Sequence, residues 1–174
     1  MSGQVDLSHR EVQIAQAYAG GAAMGGDLGP LGAGGPSFVA LGMRDPGTAR
    51  APGGLLQRVQ IIKGWADDDG RIHQEIHDIA GSADNGASVD LATCEPSGPG
   101  YDVLCRVWRD PDFDPKRRAV YYARVVENPS CRFSTWHCLE IEPEKRPEAC
   151  SNDDVPKTIQ ERAWSSPIWY TPPT

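Results

Sequence analysis

Residues 56–65 and 71–79 are two strand-like runs separated by the turn Asp67-Asp68-Asp69-Gly70. The first carries Val59, Ile61 and Ile62 and the second Ile72, Ile76 and Ile79, β-branched residues that suit a pleated surface. A Gly-terminated loop between two such runs closes a β-hairpin. The middle of the chain is thereby committed to an antiparallel sheet, and a sheet needs a second layer to cover one face.

Further strand signals fall at residues 37–43, 89–94, 101–109, 119–127, 133–141 and 167–170. With 19 glycines and 15 prolines in 174 residues, turns interrupt the chain too often for long helices. Many short strands between Gly, Pro and Asp turns predict a mainly β, antiparallel sandwich rather than alternating strands and helices. One short helix is expected over residues 7–19, where Ser8 and Glu11 form a capping box and Gly20-Gly21 stops it. Residues 20–35 are mostly Gly, Ala, Met, Leu and Pro and read as an extended arm that takes its order from what it touches. The organisation expected is a helix and Gly-rich arm at 1–36 and a sandwich at 37–174, together one globular unit with long Gly/Pro-rich loops. Residues 142–157 read as an irregular surface excursion, and 158–164 as one helical turn.

A net charge of −7 gives no field to gather phosphate backbones, which argues against nucleic acid as a partner. The basic cluster Lys116-Arg117-Arg118 is offset by Asp110, Asp112 and Asp114 just before it. No apolar run reaches the about 18 residues of a membrane span. No secretion-signal layout opens the sequence, so this stretch is expected to be soluble.

Cys94, Cys105, Cys131, Cys138 and Cys150 form no CxxC pair, which favours disulfides over structural zinc. Cys94 and Cys105 flank the Pro96-Ser97-Gly98-Pro99-Gly100 turn and are a candidate pair; two bridges would leave one thiol free. The alternative is five small reduced side chains. Disulfides imply a periplasmic or secreted protein.

His73-Gln74-Glu75-Ile76-His77 is the obvious candidate for metal-assisted hydrolysis. On a strand His73, Glu75 and His77 share one face, and Ile72 and Ile76 take the other. His73 and His77 would then stand about 13 Å apart, too far to chelate one ion. The order also departs from HExxH, so a solvated polar face is preferred. Asp67-Asp68-Asp69-Gly70 fails the EF-hand spacing, and Asp110, Asp112 and Asp114, stiffened by Pro111 and Pro115, read as turn chemistry. Met24-Gly25-Gly26-Asp27-Leu28-Gly29 matches no phosphate loop, and no GxSxG elbow occurs. Trp108, Tyr121, Tyr122, Trp136, Trp164, Trp169 and Tyr170 read as core and rim, with a carbohydrate platform as the alternative.

Several motifs fall in a telling order: Tyr18-Ala19-Gly20-Gly21, Met24-Gly25-Gly26-Asp27-Leu28, Arg44-Asp45-Pro46-Gly47-Thr48, Asp90-Leu91-Ala92-Thr93-Cys94 and Ser166-Pro167-Ile168-Trp169-Tyr170. In this series the chain resembles the C-terminal part of a bacterial family catalogued as domain of unknown function 3604. The resemblance implies a parent similar to PHP-type metal-dependent hydrolases, whose distorted β/α barrel carries the metal ligands upstream. It also implies an immunoglobulin-like appendage here, with no catalytic residue and no cofactor of its own. A divalent metal is expected in the parent alone. Tyr18, Met24, Asp27 and Leu28 of the arm are then interface candidates toward the upstream catalytic domain.

Overall fold

The structure is a computed structural model that describes residues 18–31 and 34–173. Most of the helix expected over 7–19 lies outside the described residues. The two-residue β1 (Asp27–Leu28) is followed by the longer β2 (Ser37–Met43), β3 (Leu56–Ala66) and β4 (Ile72–Gly81). After the short β5 (Ser88–Val89) and β6 (Pro96–Ser97) come β7 (Val103–Arg109) and β8 (Ala119–Glu127). β9 (Ser130–Cys131), helix α1 (Phe133–Glu140), β10 (Thr158–Ile159), β11 (Arg162–Trp164) and β12 (Ile168–Tyr170) complete the chain.

β3 is an interior strand of the main sheet, buried along most of its length and on both faces, its Gln57, Gln60 and Lys63 included. It pairs antiparallel with β4 on one side and β8 on the other, so the expected hairpin forms. β11 and β12 follow one another along the far edge of β8. The arm contributes β1, which joins β12 in parallel and makes the sheet mixed where an all-antiparallel one was expected.

β2 and β7 form a separate antiparallel ribbon laid over β3 and β4. Phe38, Ala40 and Leu104 of the ribbon share one core with Val59, Ile61, Tyr121 and Tyr170 of the sheet. Phe38 sits at the middle, its ring 4.6 Å from that of Tyr121. Gly42 permits the close approach: a Cβ there would lie 2.8 Å from Val125 Cγ2. Leu28 and Leu31 of the arm add to the same core. The fold is thus mainly β, with a mixed sheet, a covering ribbon and smaller two-stranded pieces.

Three expectations are corrected. Residues 133–141 form helix α1 rather than a strand. Phe133, Trp136, His137 and Glu140 recur at helical spacing, and Thr135 Oγ1 donates to Lys157 O at 2.7 Å, which holds the turn in place. Residues 158–164 form β10 and β11 rather than a helical turn. Between them Gln160 Nε2 donates to Glu127 O and Gln57 Oε1, both at 2.9 Å, which keeps the backbone extended. The strand expected at 89–94 stops at Val89, where the Asp90 carboxylate accepts the Ala92 N–H and turns the chain. Residues 142–157 are irregular as expected, with two 3-10 turns.

Candidate functional site

β2 alternates strictly: Phe38, Ala40 and Gly42 point inward, and Val39, Leu41 and Met43 point outward. The outward row of a strand covered on one face is ordinarily polar. Here it is apolar, and the register places Val39 opposite Val107, Leu41 opposite Cys105 and Met43 opposite Val103. Val39, Met43, Val107 and Leu41 are 65%, 59%, 54% and 47% exposed. Arg44 N–H donates to Asp102 O and Asp110 N–H to Pro36 O, so the even-numbered residues of β2 make the ladder bonds. The three apolar pairs are therefore the non-hydrogen-bonded ones, whose side chains approach most closely. They form a continuous patch with a polar rim: Ser37 accepts from Arg109 Nε at one end, and Arg44 pairs with Asp102 at 2.7 Å at the other. An apolar core inside a polar rim is the layout of a protein contact surface.

Beside β2, on the side away from β7, lies a cleft of about 670 Å³. Its floor includes Ile61, Tyr121, Ala123 and Ile168, and residues 20–24 of the arm form the opposite wall. No charged residue lines it among the described residues. Of the arm's interface candidates, Tyr18 and Met24 line this cleft and are largely exposed. Leu28 is drawn into the core, and Asp27 is exposed in β1 opposite Trp169. Backbone bonds from Gly25 N–H to Pro167 O and from Trp169 N–H to Gly26 O fasten the arm to the sheet.

The His73, Glu75 and His77 row shares one face of β4 as expected; His73 is exposed, but Glu75 and His77 are partly covered where a solvated face was expected. Ile72 is 81% exposed and Ile76 is half exposed, whereas His77 packs 4.8 Å from the Trp108 ring. Glu75 is paired in register with Lys63, an inward residue, so the polar row must turn toward the ribbon. The three side chains do not converge. His73 Nε2 lies 2.8 Å from Asp67 Oδ2 in the acidic turn, and its ring stacks on Trp65. Glu75 Oε2 and His77 Nε2 lie 3.5 Å apart, both buried and without a hydrogen-bond partner among the described residues. No group of three metal-ligating side chains converges among the described residues, and this row does not fit a divalent metal.

The acidic turns behave as turns. Asp67 accepts the Asp69 and Arg71 N–H groups, and the His73 hydrogen bond, ahead of these, holds its carboxyl below the usual range. Asp110 Oδ1 accepts the Asp112 N–H at 3.0 Å, while Asp110 Oδ2 meets Lys63 Nζ at 2.7 Å and the Tyr121 hydroxyl at 2.6 Å. Burial, then the Asp110 carboxylate, push the Tyr121 hydroxyl far above the ordinary phenol range. Lys63 also donates to Asp112 O, and Tyr170 to Pro115 O, so this network pins the 110–115 loop to the sheet. Sequence reading missed it; its one signal is a lysine inside the apolar run of β3.

The Cys94–Cys105 pairing is corrected. Cys94 is bonded to Cys131 and Cys138 to Cys150, and Cys105 is free. The chain reverses earlier, over residues 90–95, where Asp90 N–H donates to Glu95 O and Cys94 N–H to Asp90 O; Pro96 and Ser97 are then strand β6 paired with β5, whereas Cys105 sits in β7 opposite Leu41. Burial pushes the Cys105 thiol above its usual value.

The fold and these surfaces define a mainly β domain with an exposed apolar ribbon face and an uncharged cleft beside it. The chain belongs to the family described as Protein of unknown function (DUF3604), which matches residues 3–172. No curated protein and no solved structure matches it. No helix among the described residues is long and apolar enough to cross a membrane, and its two disulfides suit a secreted or periplasmic setting.

Proposed function

We propose that this chain is a noncatalytic accessory domain of a larger, PHP-like hydrolase and that it packs on an upstream catalytic domain. The observation that carries this reading is the row of three apolar cross-strand pairs on the outer face of β2 and β7. A contiguous exposed patch of that kind marks a contact site in a soluble domain. Tyr18 and Met24 extend it along the cleft rim. On this reading the sheet and ribbon are an immunoglobulin-like sandwich, and any divalent metal belongs to the upstream domain.

Competing readings have less support. A metal-assisted site at His73, Glu75 and His77 lacks convergence of its ligands. A carbohydrate platform loses Trp108, which packs with Phe38 and His77, and its exposed indoles Trp136, Trp164 and Trp169 stand on three separate elements. The test is phosphoesterase turnover by the purified chain with added manganese or zinc, alongside metal content in the His73→Ala, Glu75→Ala double variant. Background turnover and unaltered metal content are expected. Metal-dependent turnover by the purified chain would overturn the reading, and its loss in the double variant would assign it to the β4 row.

A further inference from the structure

The alternation of β2 has a second consequence at its edge. Its even-numbered residues bond to β7, so Ser37, Val39, Leu41 and Met43 turn their N–H and C=O groups the other way. Among the described residues no strand pairs with that edge. Edge strands are commonly blunted by charge, proline, bulges or brevity. β2 has none of these: it is 7 residues of Ser-Phe-Val-Ala-Leu-Gly-Met in unbroken register. The uncharged cleft runs beside it, above β8 and β12, where the ribbon has no third strand.

We infer that the free edge of β2 and this cleft receive an extended, uncharged strand from the partner domain, added as a third strand of the ribbon. This rests on the docking reading above and specifies how the contact is made. Donors and acceptors repeating along a strand edge are matched by another extended backbone and by little else. Alternate side chains of the added strand would enter the cleft toward Tyr121, Ala123 and Ile168, where no charge is available to pair with one. The other set would continue the outward row of Val39 and Leu41, which is apolar as well. The glycines and alanines at 20–23 leave room for the incoming chain on the opposite wall. A second copy of the chain fits less well, because pairing two β2 edges would enlarge the exposed apolar patch rather than cover it.

The test uses the 174-residue chain and a blocked peptide of alternating valine and threonine that matches the 7 residues of β2. In the free chain the Val39 and Leu41 amides should exchange rapidly, and Ala40 and Gly42, bonded to β7, slowly. Saturating peptide should slow exchange at Val39 and Leu41 by at least about tenfold and leave Ala40 and Gly42 unchanged. A peptide N-methylated at alternate residues keeps the side chains but loses the donors, and should not bind. Leu41→Pro removes an N–H that faces only the free edge, so it should weaken binding by about tenfold and leave the near-ultraviolet circular dichroism intact. The inference is overturned by no binding at millimolar peptide, by equal binding of the N-methylated peptide, or by protection of Val39 and Leu41 in the free chain. Protection that grows with chain concentration would assign the edge to a second copy instead. None of these outcomes bears on docking of the ribbon face, which is read separately from charge substitution at Val107.

Discussion

Lys63 Nζ lies 2.7 Å from Asp110 Oδ2, with both side chains almost entirely buried, and the Tyr121 hydroxyl donates to the same oxygen. Removing one partner leaves a buried charge without its counterion. Lys63→Met should therefore cost about 3–5 kcal/mol in denaturant unfolding. Lys63→Met with Asp110→Leu removes both charges and should cost clearly less than the sum of the single changes. Additive losses would show that the two side chains act independently.

The two disulfides close loops of different length, with sequence separations of 37 for Cys94–Cys131 and 12 for Cys138–Cys150. Chain entropy alone assigns about 4 kcal/mol to the first and about 3 kcal/mol to the second. Paired alanine substitutions at each bridge should follow that order in unfolding free energy. Cys105→Ala should leave both bridges intact, which peptide mapping without reductant would check.

Glu127 has its carboxyl pushed above the usual value by burial, then by Glu161 and Asp45 nearby. A carboxyl raised on folding holds its proton more tightly in the native state than in the unfolded chain. Stability is then greatest below the unfolded value and falls as pH rises through the folded one. Glu127→Gln should raise the melting temperature at about pH 7 and give no comparable gain at about pH 3. An equal gain at both would mean that the charge is not the cause.

On the outward row, Val39→Lys and Val107→Lys place charges where the side chains already meet solvent. Each should change unfolding free energy by no more than about 0.5 kcal/mol. The pair should also reduce concentration-dependent light scattering. A loss of about 2 kcal/mol or more would mean that the row is packed within the isolated chain.

The hairpin of β3 and β4 was legible because both its runs and its turn carry local chemistry, with Asp67 accepting the Asp69 and Arg71 N–H groups within the turn. β2 was legible as a strand but not as a surface. With Phe38, Ala40 and Gly42 in one phase and Val39, Leu41 and Met43 in the other, no polar phase marks the outside. β4 misled in the opposite sense: its isoleucine phase faces out because Glu75 is registered against the buried Lys63. Helix α1 spaces Phe133, Trp136, His137 and Glu140 as a helix does, but it is only 8 residues long, and its anchor at Lys157 lies far along the chain. Cysteine spacing cannot rank pairings that depend on which sheet each residue joins. The same limit hid the contact between Lys63 and Asp110, since nothing local to either residue reports the other.

Docking of this domain through its ribbon face is measured most directly by titrating the separately produced upstream domain of a full-length family member into the chain. The wild-type chain should bind, and the Val39→Lys, Val107→Lys double variant should bind at least about a hundredfold more weakly, as expected when central contacts of an interface are charged. Equal affinity of the two, or no binding by the wild-type chain, would contradict the account.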